Sequence, residues 1–387
     1  MRRIYLDYNA TTPIAPSVAE AIQPFIAEHY GNPSSDHAPG RVTRHAVEEA
    51  RGQVANLLGA DAEEVVFTGG GSESINLAIK GACFHRDRWK RLVHEQQGHL
   101  VISAIEHPAT TAPANFLESI GFDVSVAKCD SNGVVSAGEI KSLIRDDTIL
   151  VSVMHANNET GVIQPIADIS AECRERNVLF HTDAAQSVGK ISTRVEELGV
   201  DLMSMAGHKL YAPKGVGALY IRRGVDLEPL IHGAGHEKGI RAGTENTPYI
   251  VGLGQAAYLA ANGLDESSVG MARLRDRLET QLLESIPGLK INGGDVERLP
   301  NTSSVSFPNV SAKEILSRLP ELCVSMGAAC HGTGQIESAT LVAMGKGIEH
   351  VANTIRLTCG WYTSQDEIDR VAGLLIDAWE NLSNTPA

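Results

Sequence analysis

Aromatic residues and cysteines are scarce in this sequence, and its few cysteines follow no metal-binding pattern. The 387 residues include 5% aromatics and 6 cysteines, with no C-x-x-C pair. This excludes a zinc site of the usual spacing and a dense disulfide framework, and it indicates free thiols in a reducing cytosol. No apolar run approaches the ~20 residues that a membrane-spanning helix needs. Because the basic start of the chain has no apolar segment behind it, we also expect no secretion signal.

The sequence also lacks the excess of positive charge that nucleic-acid binding requires. Its formal net charge is −14, which argues against a general nucleic-acid binder and leaves room only for a local basic patch. The length exceeds the usual size of one hydrophobic core, so we expect two domains. We predict a large domain over residues 16–262, and a small domain formed by residues 1–15 and 263–387.

Short, β-branched apolar runs alternate with helix-length segments through the first two thirds of the chain. The runs are residues 65–67, 100–102, 149–153, 178–180, 202–203 and 216–221. This alternation predicts an α/β domain with a mostly parallel sheet, whose loops after the strands form the functional edge. Beyond residue 263, a polar helix (267–285), two strands (289–291 and 303–307) and a closing helix (365–382) indicate a smaller α+β domain.

A glycine-rich loop, residues 68–74, follows the first predicted strand and precedes a helix. Glycines let a backbone approach an anion, and the helix start supplies unpaired N–H groups, to which Ser72 adds a hydroxyl. A plain packing turn is an equal alternative. No Lys-Ser/Thr pair follows the last glycine, which excludes a nucleoside-triphosphate loop of the Walker type.

Asp183 and Lys209 each stand at the end of a predicted strand. A buried carboxylate there suits a pyridine nitrogen, which it keeps protonated so that the ring withdraws electrons. A buried lysine is costly unless it is neutral or covalently used, and an imine with an aldehyde cofactor removes that cost. The alternatives are a helix cap for Asp183 and a surface position for Lys209.

One cysteine has unusual neighbours. Cys330 lies in a run of small residues, 327–334, next to His331, whose charge would favour the thiolate. Most free cysteines are small buried apolar residues, and we expect this of the other five.

These stretches together resemble the cysteine desulfurase and selenocysteine lyase family, whose members use pyridoxal 5'-phosphate (PLP) and share the PLP fold type I. The likeness runs nearly end to end. It rests on residues 5–13, 30–35, 106–107, 156–161, 181–186, 207–209, 241–246 and the Cys330 loop. For the fold, the resemblance implies a large domain with a seven-stranded, mostly parallel sheet and a smaller α+β C-terminal domain.

The resemblance also implies a role for each matching residue. Lys209 binds the cofactor covalently and moves protons, and Cys330 attacks the substrate sulfur and carries it as a persulfide. His107 stacks on the cofactor ring and transfers protons, Asp183 pairs with the pyridine nitrogen, and Gln186 and Asn158 contact the phenolic side of the ring. The phosphate is bound by Gly71, Ser72 and His208, and by Thr244 of a second subunit. Arg356 binds the substrate carboxylate, and Asn158 is a further substrate contact.

Three positions depart from the family pattern. Ala206 stands where a serine often precedes Gly-His-Lys, and Trp361 stands where an arginine often follows glycine. The third departure is the cysteine loop: Ala328-Ala329-Cys330-His331 is more similar to selenocysteine lyases than to housekeeping desulfurases.

Three hypotheses follow. The first is a cytoplasmic, homodimeric cysteine desulfurase that converts L-cysteine to L-alanine and passes sulfur to an acceptor, such as an iron–sulfur scaffold or a thiolation enzyme. The second is a selenocysteine lyase that releases selenium from L-selenocysteine. The third is an idle scaffold, which the presence of Lys209, Asp183, His107, Cys330 and Arg356 makes unattractive. We expect no metal, no direct nucleic-acid contact and no membrane contact.

Overall fold

The computed structural model describes residues 3–85, 98–326 and 338–384. Its strands, numbered in chain order, are β1 Ile4–Tyr5, β2 Val65–Thr68, β3 His99–Ser103, β4 Asp123–Ala127, β5 Thr148–Ser152, β6 Leu179–Asp183, β7 Leu202–Ala206, β8 Gly217–Ile221, β9 Lys290–Ile291, β10 Thr302–Ser306, β11 Leu322–Cys323 and β12 Thr354–Thr358.

The α-helices of the described ranges are α1 Pro16–Ala27, α2 Ala38–Leu58, α3 Gly71–Phe84, α4 Pro108–Ser119, α5 Ala137–Leu143, α6 Ile166–Glu175, α7 Val195–Leu198, α8 Thr247–Ser285, α9 Ala312–Ser317, α10 Ala339–Ala343, α11 Ile348–Ala352 and α12 Gln365–Ser383. Single 3-10 turns form at Ala62–Glu64, Gly207–Lys209 and Glu237–Gly239. In residues 3–85, 98–326 and 338–384, no helix combines the length and the hydropathy needed to cross a bilayer.

A seven-stranded sheet in the order β2-β8-β7-β6-β5-β3-β4 forms the centre of the molecule. Strand β8 runs antiparallel to β2 and β7, and the other neighbours are parallel. The prediction of a mostly parallel seven-stranded sheet with a smaller α+β part is confirmed. Helices connect the parallel strands, so the carboxyl ends of β3, β5, β6 and β7 meet at one edge.

The edge strand β4 was missed by the apolar-run criterion. Its sequence alternates polar and apolar residues, and Ala127 is its one fully buried residue, whereas every residue of β3 and β5 is buried. A strand paired on one side only does not need a continuous apolar run.

Two hydrophobic clusters cover the two faces of the sheet, and a third lies outside it. Neighbouring strand residues such as Val101 and Leu100 belong to opposite faces, as the two-residue period of a strand requires. The third cluster gathers around the antiparallel sheet β12-β10-β9, helix α12 and the start of the chain.

Helix α8 connects the first and third clusters. It is continuous over 39 residues, with Leu253 and Ala257 in the first cluster and Leu274 and Leu278 in the third. It therefore passes the predicted boundary at residues 262/263 without a break. The domain limits of 16–262, and of 1–15 with 263–387, remain a prediction.

Candidate active site

A cavity of about 900 Å³ lies at the edge of the sheet where β6 and β7 end. It brings together nine of the residues singled out from the sequence: Gly71, Ser72, His107, Asn158, Asp183, Gln186, His208, Lys209 and Arg356. These residues come from six separate segments of the chain. Their convergence is a property of the fold, and their individual roles remain predictions.

Lys209 reaches the cavity from the 3-10 turn directly after β7. Burial lowers the pKa of its ammonium, the negative charge of Asp183 opposes this shift, and the positive charge of Arg356 adds to it. A lowered pKa makes the neutral amine more available, and this is the form that attacks an aldehyde.

Asp183, the last residue of β6, pairs in register with Ser204 of β7. Parallel pairing thus sets its carboxylate and the lysine turn at the same edge. Asp183 is buried, and its Oδ1 accepts a hydrogen bond from the backbone N–H of Ala185 at 2.9 Å. One oxygen is therefore held by the backbone, which orients the carboxylate at the cavity wall.

His107 is the N-cap of α4. Its Nδ1 accepts a hydrogen bond from the backbone N–H of Ala109 at 3.1 Å. The neutral ring therefore carries its proton on Nε2. A fixed ring with a defined tautomer suits both the stacking and the proton transfer predicted for this residue.

Glu106 also lines the cavity, and although it belongs to a segment that carries the family resemblance, no role was predicted for it. Its Oε1 accepts hydrogen bonds from Ser103 Oγ at 2.5 Å and from the backbone N–H of Met154 at 2.8 Å. Burial raises the pKa of this carboxyl to about 8, partly offset by the Ser103 hydrogen bond. The side chain is therefore protonated at neutral pH. Its position beside His107 in the sequence was the available signal.

The glycine-rich loop ends in the first turn of α3. Gly70 has φ 144°, a conformation that favours glycine, and it sets the direction in which α3 begins. A Cβ on Gly71 would lie 3.0 Å from the Cβ of Ala206. The methyl group of Ala206, the first departure from the expected family pattern, therefore packs against the loop.

His208 lines the same cavity as Gly71 and Ser72. Burial, together with the charges of Lys209 and Lys214, lowers its pKa to about 4. Its Nδ1 is 3.1 Å from Thr11 Oγ1. A neutral imidazole and the N–H groups at the start of α3 form a polar end of the cavity suited to an anion.

Arg356 lies on β12 and also lines the cavity. Its guanidinium donates to Asp7 Oδ1 at 2.8 Å and to the backbone carbonyl of Asn158 at 2.9 Å. Its buried Nε has no acceptor within the described ranges. Two anchors hold the planar group at the cavity wall, which is the arrangement a carboxylate clamp requires.

Two further residues predicted for the site are not among these nine. Thr244 lines a separate cavity of about 560 Å³, together with Arg51 and Glu237. Cys330 falls in residues 327–337, outside the described residues.

Trp361, which departs from the expected family pattern, packs against Tyr211. The indole stacks on the ring of Tyr211 with a centroid distance of 3.8 Å and an interplanar angle of 10°, and its backbone N–H donates to the Tyr211 hydroxyl at 2.7 Å. Tyr211 has φ 61°, a strained value for a residue with a side chain. The stack therefore holds the chain just after Lys209.

The donor set of the cavity fits PLP. It offers an amine of lowered pKa, a carboxylate at the end of β6, an imidazole with a fixed tautomer, and a helix start beside a neutral histidine. The amine matches the aldehyde of PLP, and the carboxylate matches its pyridine nitrogen. The imidazole matches the aromatic ring, and the helix start matches the phosphate.

Comparison with known proteins agrees with this fit. The family model described as aminotransferase class-V matches residues 4–371. A cysteine desulfurase IscS of Dictyoglomus turgidum is 43% identical over 376 residues, which covers 97% of this chain and 94% of the relative.

Two solved structures share the fold over nearly the whole chain. A NifS-like protein superposes with a TM-score of 0.88 at 37% identity, covering 99% of this chain and 100% of that one. A structure of SspA in complex with cysteine gives a TM-score of 0.81 at 38% identity, covering 93% and 99%.

The chain therefore belongs to the class-V aminotransferase family of PLP-dependent enzymes. Within that family it is similar over its full length to cysteine desulfurases. The resemblance inferred from the motifs, and the cofactor that it implied, are confirmed.

Proposed function

We propose that this protein is a PLP-dependent cysteine desulfurase that converts L-cysteine to L-alanine. The observation that carries the proposal is the convergence of Lys209, Asp183, His107 and Arg356 on one cavity. The similarity to cysteine desulfurases supports the same activity, as does the likeness to a structure that holds cysteine.

When bound, PLP supplies an electron sink for bond cleavage at the substrate amino acid. The protein's own groups do the rest. Lys209 binds the cofactor through Nζ and holds or delivers a proton there. Asp183 keeps the pyridine nitrogen protonated, and His107 stacks on the ring and exchanges a proton at Nε2.

The two ends of the cavity bind the charged groups. Gly71, Ser72 and His208 receive the phosphate, while Gln186 and Asn158 face the phenolic side of the ring. Arg356 binds the substrate α-carboxylate, and its contacts with Asp7 and Asn158 orient it for this task.

Sulfur leaves through Cys330, whose thiolate attacks the substrate sulfur and forms a persulfide while the substrate C–S bond breaks. The electron pair of that bond stays with the carbon, which takes up a proton to give alanine. An acceptor protein, such as an iron–sulfur scaffold or a thiolation enzyme, then takes the sulfur in the cytosol. We propose a homodimer in which Thr244 contacts the phosphate bound by the partner subunit, since within one chain Thr244 lines a different cavity.

The deciding experiment measures alanine formation from cysteine and from selenocysteine side by side, with and without a reductant. Turnover of cysteine with reductant-dependent release of sulfide is expected. A very large bias to selenocysteine would replace the proposal with a selenocysteine lyase. Absence of a yellow, lysine-bound cofactor in the purified protein would indicate an idle scaffold.

Two variants assign the chemical groups. Cys330→Ala should keep the cofactor's colour and lose the enzyme-bound persulfide, and surviving sulfur transfer would contradict the role of this thiol. Lys209→Ala should lose the linkage that borohydride reduces, and a retained reducible linkage would contradict the role of this amine.

A further inference from the structure

Lys190 is a buried lysine that the proposed function does not use. It lies in the segment that follows β6, and it is only 5% exposed. Its ammonium donates to the Gln186 backbone carbonyl at 2.9 Å, to Gln186 Oε1 at 3.1 Å and to Asn9 Oδ1 at 3.5 Å. Within the described residues these acceptors are neutral oxygens, so the charge of Lys190 is buried without a carboxylate partner.

The contact with Oε1 determines which end of the Gln186 amide faces the cavity. An ammonium is a donor only, so the amide oxygen must face Lys190 and the amide nitrogen must face away. Nε2 donates one hydrogen to the Asn9 carbonyl at 3.0 Å. The described residues provide no acceptor for its second hydrogen, and Gln186 lines the cavity.

The buried charge also acts on the cavity directly. In a poorly polarisable interior, a charge without a counter-ion acts over several ångströms. Burial, together with the charges of Lys209 and Arg356, lowers the pKa of Lys190 to about 7, and Cys359 opposes this shift.

We infer that Lys190 is a positioning residue, which turns the N–H of Gln186 toward the phenolic oxygen of the cofactor and places a positive charge behind it. The inference rests on the proposed function, because it adopts the phenolic-side location of Gln186. It adds a new role for a residue outside the cavity wall. A positive charge at this side favours the deprotonated, anionic form of the lysine-bound cofactor.

The test is a pH titration of the cofactor's visible absorbance in the intact holoenzyme. Variants Lys190→Met, Lys190→Gln and Gln186→Met are compared with the double variant Lys190→Met/Gln186→Met. Lys141→Met is the control, since Lys141 is a surface lysine paired with Glu172 at 2.7 Å. We expect the titration midpoint to rise by about one pH unit in Lys190→Met, since one unit charge is removed nearby.

Lys190→Gln separates the two contributions, because it can still donate to Gln186 but carries no charge. It should shift the midpoint less than Lys190→Met, and the double variant should shift it by less than the sum of the single variants. Midpoints equal to that of the control, fully additive shifts, or a failure of both Lys190 variants to fold would overturn the inference.

The result of the Lys190 test can be distinguished from the result of the test of the proposed function. Alanine formation by the wild-type protein is measured in the same preparation. A wild-type protein that binds the cofactor but makes no alanine contradicts the substrate proposal and leaves the absorbance test of Lys190 valid. A wild-type protein that binds no cofactor contradicts both.

Discussion

Removal of Arg51 should destabilise the fold strongly, although this residue lies outside the cavity that contains Lys209. Its guanidinium donates to both oxygens of Glu237, at 2.8 and 2.9 Å, and to the backbone carbonyl of Val65 at 2.9 Å. The two side chains are only 7% and 2% exposed. Glu237 also accepts the backbone N–H of Phe67 at 2.8 Å, so the pair joins strand β2 to the segment that carries Thr244.

The magnitude follows from what Arg51→Met leaves behind. The Glu237 carboxylate would stay buried with a single N–H donor, and breaking a buried pair in this way costs about 3–5 kcal/mol. Loss of the guanidinium above the Phe67 ring, 4.8 Å from its centroid, adds about 0.5–1 kcal/mol. The double variant Arg51→Met/Glu237→Leu should recover most of this loss, because it leaves no unpaired charge.

Urea unfolding at a fixed concentration of cofactor measures these differences in the free energy of unfolding. The control is Arg223→Met, which loses an exposed pair with Asp61 whose side chains are 70% and 67% exposed. This change should cost less than about 1 kcal/mol. If Arg51→Met were no less stable than the control, the charge of Glu237 would not depend on Arg51 and the reasoning would be refuted.

Three further changes test the cavity and its surroundings. Folding raises the pKa of Glu106 from 4.5 to about 8. The stability that its protonated carboxyl contributes is therefore lost as the pH rises between these two values, by about 1.4 kcal/mol of unfolding free energy per pH unit. The free energy of unfolding of Glu106→Gln, relative to that of the wild type, should therefore increase from pH 5 to pH 8 when denaturation curves are measured in parallel. A difference between the two proteins that does not change with pH would contradict this. Arg356→Lys should raise the KM for cysteine about 10- to 100-fold in steady-state assays, because a point charge cannot replace a bidentate clamp; an unchanged KM would exclude Arg356 from carboxylate binding. Trp361→Ala should cost about 2 kcal/mol in urea unfolding through loss of the stack on Tyr211, whereas Trp361→Phe should retain most of the stability.

Much of the site was predictable because its chemistry lies in short segments. Asp183 and Lys209 follow apolar runs that form buried strands, and parallel strands bring their carboxyl ends to one edge whatever the details of packing. The glycine-rich loop precedes a helix for a similarly local reason, since Gly70 needs a conformation that other residues avoid. These features depend on the backbone and on burial, both of which a sequence pattern records.

Tertiary structure alone decided the contacts between distant segments. Nothing local to Lys190 distinguishes it from a surface lysine; its burial against Asn9, 181 residues away in sequence, depends on the packing of the N-terminal segment. Asp7 and Arg356 meet across 349 residues because the start of the chain pairs with the small antiparallel sheet. The sequence by itself determined the strands that present Lys209 and Asp183, and predicted the roles of these two residues, because both follow from local patterns. The network that orients them required the fold, because hydrogen bonds between distant segments leave no periodic signal in the chain.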